Sequence, residues 1–463
     1  MPFVDDHLVR VWKTRDIGRG GELLTTLCWG DELAHVGASR AGGRPVTLPD
    51  GRTGYVDAAL RKRSNGILQV AFVDVGQGDA CIITTPTGKR LLIDAGENQQ
   101  LARYLAARNR SVTAAGKTTL FDAVVLTHGD ADHIAGLVHL VDAATETRAE
   151  KKIVFATRAL LHNGLAKRPA STPSSARFGP TESASDGGRV VPLVEDPSSL
   201  PDSELNRHFR DLKRSIGELR RRHTKLEVRP LSRGENVNLG DISIVGINPT
   251  LEVSTKGAAG LRWLGSPAAT VNGHSIVLKL VYGRARFLLG ADLTRRTGDQ
   301  IAADHAAGMV DVGADVLKVP HHGSSDISEA MLAKVAPVVS IISAGDEDAR
   351  RDHLHPRATV LGAVARHARE PALVFVTNLN AFDRWRGRAF PAIESPRGSG
   401  TWVPDVAAGS FYARERTQAG VLHVRTDGEH LLVTRWGASP GAHESYVLDL
   451  KDAAPTAGRA VVR

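Results

Sequence analysis

Apolar and polar positions change rhythm several times along this chain. Up to about residue 65, short apolar stretches are cut by Gly and Asp-Gly pairs, as in GELLTTLCWGDEL and LPDGRTGYVDAAL. That punctuation predicts short strands and tight turns closing into a small all-β barrel over 1–65. Arg61, Lys62 and Arg63, followed by Ser64, Asn65 and Gly66, read as a linker. From Ile67 the texture shifts to longer apolar runs: ILQVAFVDV, ACIITTP, KRLLIDAG and FDAVVLTH. Each reads as a strand, and helical text follows two of them, at 99–110 and 134–144. The alternation resumes with DISIVGINP, HSIVLKLVYG, ARFLLGADL, ADVLKVPHHGS and VVSIISAG, and closes with ALVFVTNLN and VLHVRTDGEHLLVTRW. Strands alternating with helices predict an α/β layer structure over 66–450. Residues 451–463 read as a tail.

One segment breaks the alternation. Residues 163–202 are rich in Pro, Ser, Gly and Ala and read as a flexible loop. A helix follows in SELNRHFRDLKRSIGELRRRHTKL, so 163–235 together form an insertion. Leu205, Phe209, Leu212, Ile216 and Leu219 are spaced four, three, four and three apart and share one face. Arg207, Arg210, Lys213, Arg214, Arg220, Arg221 and Arg222 crowd the remainder. Two readings stay open: a helix that contacts phosphates, or a solvated amphipathic helix docked on the core.

Composition narrows the classes. At 463 residues and 42% hydrophobic, the chain can bury a sizeable core, which excludes wholesale disorder. No apolar run approaches the roughly 18 residues that cross a bilayer, so no integral membrane protein is expected. The opening MPFVDDHLVRVWKTRD lacks the apolar stretch of a secretory signal. Cys28 and Cys81 are the only cysteines, too few for a disulfide scaffold or a Cys-rich zinc module. A reducing cytoplasm is the expected address. The net charge of +8 permits a polyanionic partner without demanding one.

The chemistry concentrates in Thr127-His128-Gly129-Asp130-Ala131-Asp132-His133, between the apolar run FDAVVL and the helical text IAGLVHLVDAA. Four metal-competent side chains lie within six residues, at a strand end where α/β folds place ligand sites. Imidazole nitrogen and carboxylate oxygen are the usual donors to zinc and to harder divalent ions. Cys81, flanked by Ala80 and Ile82, reads as a buried strand residue and not a nucleophile. No G-x-S-x-G elbow is present.

These residues resemble the metallo-β-lactamase superfamily. Its motif is His-x-His-x-Asp-His, and this chain has His128-x-Asp130-x-Asp132-His133. The Asp130 replacement points to the hydrolase domain of ComEC/Rec2-type competence proteins, as do FVDVGQGDACII, LLIDAG, THGDADHIAG, FLLGADL, DVLKVPHHGS and the late His355-Pro356. The resemblance spans roughly 67–380 and implies a four-layer αββα metallo-β-lactamase fold, preceded by the barrel, which itself resembles a bacterial SH3-like domain. It implies two divalent ions, manganese or zinc. His128 and Asp130 would serve one ion, Asp132 and His133 the other, with Asp292 bridging and His355 as the late histidine. Asp94, Asp79, Gln77, Asn272 and Ser275 would orient those ligands. His321 and His322 would act directly at the site, His322 the stronger candidate, as ligand, proton donor or phosphate contact. Lys318 and Ser324 would touch substrate, although Lys318 also reads as a structural strand-end lysine. An isolated third histidine is not obvious, and NGHS at 272–275 stands where relatives carry an Asn/Ser motif. His353 reads as a partner of His355 or as exposed, and Asp326, Asp346, Glu347 and Asp348 as loop surface.

The implied reaction is hydrolysis by a metal-activated hydroxide, because two ions about 3.5–4 Å apart can share one and screen the developing charge. The harder donor set suits manganese at least as well as zinc. A soluble phosphodiesterase or nuclease acting on DNA is the leading expectation. A hydrolase of another ester, thioester, lactone or small phosphodiester is the alternative. A binding protein with vestigial catalysis, recruited to a peptide or protein partner through the SH3-like unit, belongs to a different class. Trp29 and Tyr55 would line its groove, unless they are simply core or rim aromatics.

Overall fold

The computed structural model describes residues 1–463 apart from 16, 18–20, 40–41, 183–186, 346–354, 380–392, 395–400, 406–408, 414–417, 437–442 and 451–463. The expectations for Asp346, Glu347, Asp348, His353 and the tail lie outside the described residues.

Two mixed sheets stack face to face. The nine-stranded sheet contains four parallel strands, Arg90–Ile93, Ala123–Leu126, Ala159–His162 and Glu227–Pro230. It continues through Cys81–Thr84 and Leu68–Phe72 to Leu422–Thr426, His430–Trp436 and His443–Asp449. The six-stranded sheet runs Ser243–Asn248, Val277–Tyr282, Ala285–Leu289, Val316–Lys318, Val339–Ile342 and Leu373–Val376. Side chains alternate across each strand, so one set fills the space between the sheets. Leu68, Val70, Phe72, Val125, Leu278, Phe287, Ile341 and Val424 meet there. The opposite sets are covered by helices, as expected for strands apolar on both faces. Gln100–Arg108, Gly136–Asp142 and Arg207–Arg222 cover the first sheet; Arg295–Ala306, Glu329–Val335 and Ala358–His367 cover the second. The result is the αββα layering of the metallo-β-lactamase fold.

The helix expected at 134–144 begins earlier, inside the motif, as Ala131–Ile134 followed by Gly136–Asp142. The stretch expected as a loose loop is folded where described. Thr181–Glu182 and Arg189–Val190 join Ala259–Arg262 and Glu252–Val253 in a four-stranded sheet over Leu165, Phe178, Val190, Leu261 and Val271. Its pairing partner lies about seventy residues downstream, so no local pattern announces it.

The first 60 residues form a five-stranded antiparallel sheet, Leu23–Cys28, Leu8–Trp12, Thr53–Val56, Arg44–Thr47 and His35–Val36, over its own core of Val4, Val11, Leu33, Val46 and Val56. Lys62–Arg63 is not linker: it pairs as a short strand with Phe3–Val4. Trp29 is buried against Ile67 and Leu432, and its indole Nε1 donates to Asp5 Oδ1 at 3.2 Å. It is therefore a seam residue and lines no groove. The side chain of Arg425, on the main sheet, is fully buried; Nη1 donates to the Trp29 carbonyl at 2.6 Å and Nη2 lies 2.9 Å from Asp31 Oδ1. Among the described residues, no helix is long and apolar enough to cross a membrane.

Candidate metal centre

Besides the end of Ala123–Leu126, which carries the motif at 128–133, three strand ends deliver the site. The first is Asp94, just past Arg90–Ile93, with φ 57° in the left-handed region that Asp tolerates better than most residues. Its buried carboxylate accepts from Thr127 N at 2.7 Å, from Thr127 Oγ1 at 2.7 Å and from His133 Nδ1 at 2.8 Å. The Thr127 hydroxyl has one proton and gives it to Asp94. His128 Nδ1, 3.1 Å from that oxygen, must then be the donor, which leaves His128 Nε2 a bare lone pair. That nitrogen is buried with no hydrogen-bond partner. Burial and the neighbouring His133 pull the His128 imidazole down, so it stays neutral and competent as a ligand.

The second and third strand ends bring Asp292 and His322. His322 Nδ1 donates to the Ser343 carbonyl at 2.9 Å, which fixes its tautomer and leaves Nε2 bare, as the Asp94 contact does for His133. These two inward-facing nitrogens stand 3.3 Å apart. Asp292 Oδ2 lies 3.4 Å from His133 Nε2 and 3.2 Å from His322 Nε2; Asp132 Oδ2 lies 3.9 and 3.3 Å from the same atoms. Four donors about 2.1 Å from one ion stand roughly 3.4 Å apart in a tetrahedral shell. Asp132, His133, Asp292 and His322 therefore fit one divalent ion. Burial opposes charge on both imidazoles, yet Asp292, helped by Asp94 for His133 and by Asp79 for His322, holds each well above the ordinary histidine range. The cluster calls for a cation: a proton when no metal is present, a metal ion in its place.

Behind this shell stands Asp79. Burial would raise its carboxyl, but the Lys318 ammonium it pairs with and His322 outweigh that and draw it down to about 2. Lys318 is itself buried and also donates to the Ala291 carbonyl at 3.1 Å. An ammonium so enclosed does not reach substrate; it braces Asp79, and the structural reading of Lys318 replaces the substrate-contact one. Gly78, at φ 115°, lets the DVGQGDA loop touch the motif backbone, because a Cβ there would stand 2.2 Å from the Asp132 carbonyl oxygen. Gln77 is half-buried, with Oε1 unpartnered.

Other expected residues fall outside the four-donor shell. His321 turns away: its Nε2 lies 3.4 Å from Asn272 Nδ2, and its ring is 6.4 Å from that of His355. Asn272 thus supports His321 and not the shell, and His355 stands beside His321. Asp130 faces His128, Oδ2 to Nε2 at 3.8 Å, while its other oxygen is ion-paired to Lys167. Ser275 is buried, and the next residue, Ile276, donates its N–H to the Thr127 carbonyl at 2.9 Å. Ser324 is half-buried and accepts from Asp326 N at 3.3 Å. Cys81 is buried, which pushes its thiol up. The sequence reading missed Lys167, Thr127 and Ser343.

The Arg-rich helix docks as its apolar spacing predicts, with Phe209, Leu212, Ile216 and Leu219 buried. Gly129 accommodates it: a Cβ there would stand 2.7 Å from the Phe209 ring. Most of its cations are engaged within the protein. Arg214 pairs with Asp142, Arg220 with Asp196 and Lys213 with Asp202, while Arg222 donates to the carbonyls of Phe155 and Val141. The docked-helix reading accounts for these four.

His162 is a buried imidazole that stands one strand over from the motif. It is no ligand: Nε2 donates to the Glu195 carbonyl and Nδ1 accepts from Gly164 N–H, both at 3.1 Å. Burial holds it down at about 4. The unfolded chain gains this proton near pH 6.5 and the folded chain does not, so acid favours unfolding between about 6.5 and 4. His162 is expected to remove up to about 2 kcal/mol of stability between pH 7 and pH 5. Urea unfolding of His162→Gln should show a correspondingly shallower pH dependence; an unchanged slope contradicts the assignment.

A sequence profile of the Metallo-beta-lactamase superfamily matches residues 73–345. ComE operon protein 3 of Bacillus subtilis (strain 168) is 24% identical over 315 residues, 65% of this chain and 31% of that protein. The chain therefore spans less than a third of that relative's length. Among solved structures, Tm1679, a metal-dependent hydrolase of the β-lactamase superfamily, aligns at 11% identity over 67% of this chain and 94% of its own, with a TM-score of 0.33. Zinc-bound PqqB from Methylobacterium extorquens aligns at 12% identity over 66% and 97%, with a TM-score of 0.33.

Proposed function

Because the chain belongs to the metallo-β-lactamase superfamily, whose profile covers more than half of it, we propose that it is a metal-dependent phosphodiesterase acting on DNA. The observation that carries the metal reading is the pair of inward-facing imidazole Nε2 atoms 3.3 Å apart, with Asp132 and Asp292 completing the shell. A divalent ion bound there supplies Lewis acidity and lowers the pKa of a water enough for attack at neutral pH. Asp94 and Ser343 hold the two imidazoles in the tautomers that present Nε2. Asp79 and Lys318 keep His322 in place. Half the shell is carboxylate, a donor set that suits manganese at least as well as zinc.

The DNA reading draws on the resemblance to competence-type hydrolase domains and on the matched region of ComE operon protein 3. It also draws on cations at the mouth: Lys167 lies on Asp130, and Arg207 and Arg210 are exposed on the first turns of the helix that packs Phe209 against Gly129. The five-stranded sheet of the first 60 residues is read as an SH3-like unit that recruits a peptide or protein partner. The address remains an expected cytoplasm.

The test is cleavage of fluorescent single- and double-stranded DNA with manganese, zinc or EDTA, by wild type and Asp132→Ala. Manganese-dependent cleavage that EDTA and the substitution both remove is the expected result. No cleavage from protein carrying stoichiometric metal would sink the DNA reading.

A further inference from the structure

We propose that Lys167 makes the two ion positions of this site unequal, so that one ion is held tightly and the second only weakly. The inference rests on the metal-centre reading above and concerns how many ions the chain retains.

The two positions differ in their donors. The tight one has four, Asp132, His133, Asp292 and His322, all within ion-binding reach of one another. The other would draw on His128 Nε2, with Asp130 Oδ2 at 3.8 Å and Asp292 Oδ2 at 4.0 Å. Among the described residues, no group of three or more candidate donors gathers around His128 within ion-binding reach of one another. His162 has both nitrogens engaged, His274 Nε2 donates to the Arg262 carbonyl at 2.7 Å, and His321 is turned toward Asn272.

Asp130 is also already neutralised. Its Oδ1 is ion-paired to the Lys167 ammonium. A carboxylate whose charge is balanced by a fixed cation is a poorer ligand, and that cation repels a divalent ion placed beside it. Lys167 is anchored at its other end. Its carbonyl accepts from Asn206 N at 2.9 Å, and Asn206 caps the helix Arg207–Arg222, its side chain accepting from Phe209 N. Phe209 in turn packs on Gly129, one residue before Asp130. The Lys167 backbone and the turn that carries Asp130 are thus held by the same short packing chain. The motif's replacement of an imidazole by Asp130 makes sense in this light: the carboxylate takes a lysine, where an imidazole would take a metal.

The experiment measures ions and not turnover. Apoprotein is titrated with manganese, desalted, and its metal content read by mass spectrometry. Exchange coupling between neighbouring Mn(II) ions is followed by electron paramagnetic resonance. Wild type is expected to retain one ion per chain without coupling, and Lys167→Met two coupled ions, with the second binding at least about tenfold tighter than in wild type. Lys167→Arg, which keeps the charge, should behave as wild type. Asp130→Asn should keep the one tight ion, since Asp130 is not in that shell. Two equally tight ions in wild type, no gain in Lys167→Met, or loss of the tight ion in Asp130→Asn would each overturn the proposal. Protein that retains no ion at all would instead overturn the metal-centre reading beneath it.

Discussion

Asp292→Ala is expected to strip the protein of its tightly held ion and lower hydrolysis on the order of 10³-fold or more. Among the described residues, Asp292 is the one carboxylate that faces all three inward imidazoles, with Oδ2 at 3.4 Å from His133 Nε2, 3.2 Å from His322 Nε2 and 4.0 Å from His128 Nε2. Burial would raise its carboxyl, but His322 and His133 outweigh that and hold it well below the usual carboxylate range, so it is an anion at any working pH. Alanine removes the donor common to both positions and leaves two imidazoles with less negative charge to face. Metal content after desalting and cleavage of a phosphodiester reporter are the two readouts. Stoichiometric metal with full activity in Asp292→Ala would place the site elsewhere.

Asp94→Ala is expected to cost about 3–5 kcal/mol of folding stability and to weaken metal binding by about 10–100-fold. No part of Asp94 reaches solvent, yet it satisfies three donors: Thr127 N, Thr127 Oγ1 and His133 Nδ1. With alanine, all three are orphaned in the interior and the His133 ring loses its orienting partner. Alanine also fits the left-handed backbone at this position less well than Asp does. Asp94→Asn keeps shape and backbone preference but turns an N–H₂ toward one of the three donors, so it should recover only part of the loss. Urea unfolding and competition with a metal chelator would measure both effects. A stability change under about 1 kcal/mol in Asp94→Ala would contradict the hydrogen-bond assignment.

The layers and the motif loops were legible because local rules write them. Strand periodicity marked the core strands, and the close spacing of His128, Asp130, Asp132 and His133 marked the site. What was not legible depends on partners far along the chain. Lys167 sits in a stretch with no periodicity, ordered by pairing with residues 259–262, so nothing near it signals that it meets Asp130. Of the adjacent pair, His322, the stronger candidate from sequence, is the one in the shell; two consecutive residues at φ 52° send the neighbouring side chains in directions that neither helix nor strand periodicity describes. Two readings of the basic helix stayed open because its counter-ions, Asp142, Asp196 and Asp202, are distant in sequence. Trp29 read as either a groove or a core aromatic, and Ile67 and Leu432, which bury it, decide for the core.

The buried guanidinium of Arg425 bears on how such a chain is put together over evolution. It reaches from the last third of the sequence to the first 31 residues, and there finds the Trp29 carbonyl and the Asp31 carboxylate. A front end exchanged by recombination would have to bring its own anion to that spot, or the recipient would carry an uncompensated charge in a dry interface. The seam therefore acts as a compatibility lock between the two parts of the gene, and its key is a single aspartate.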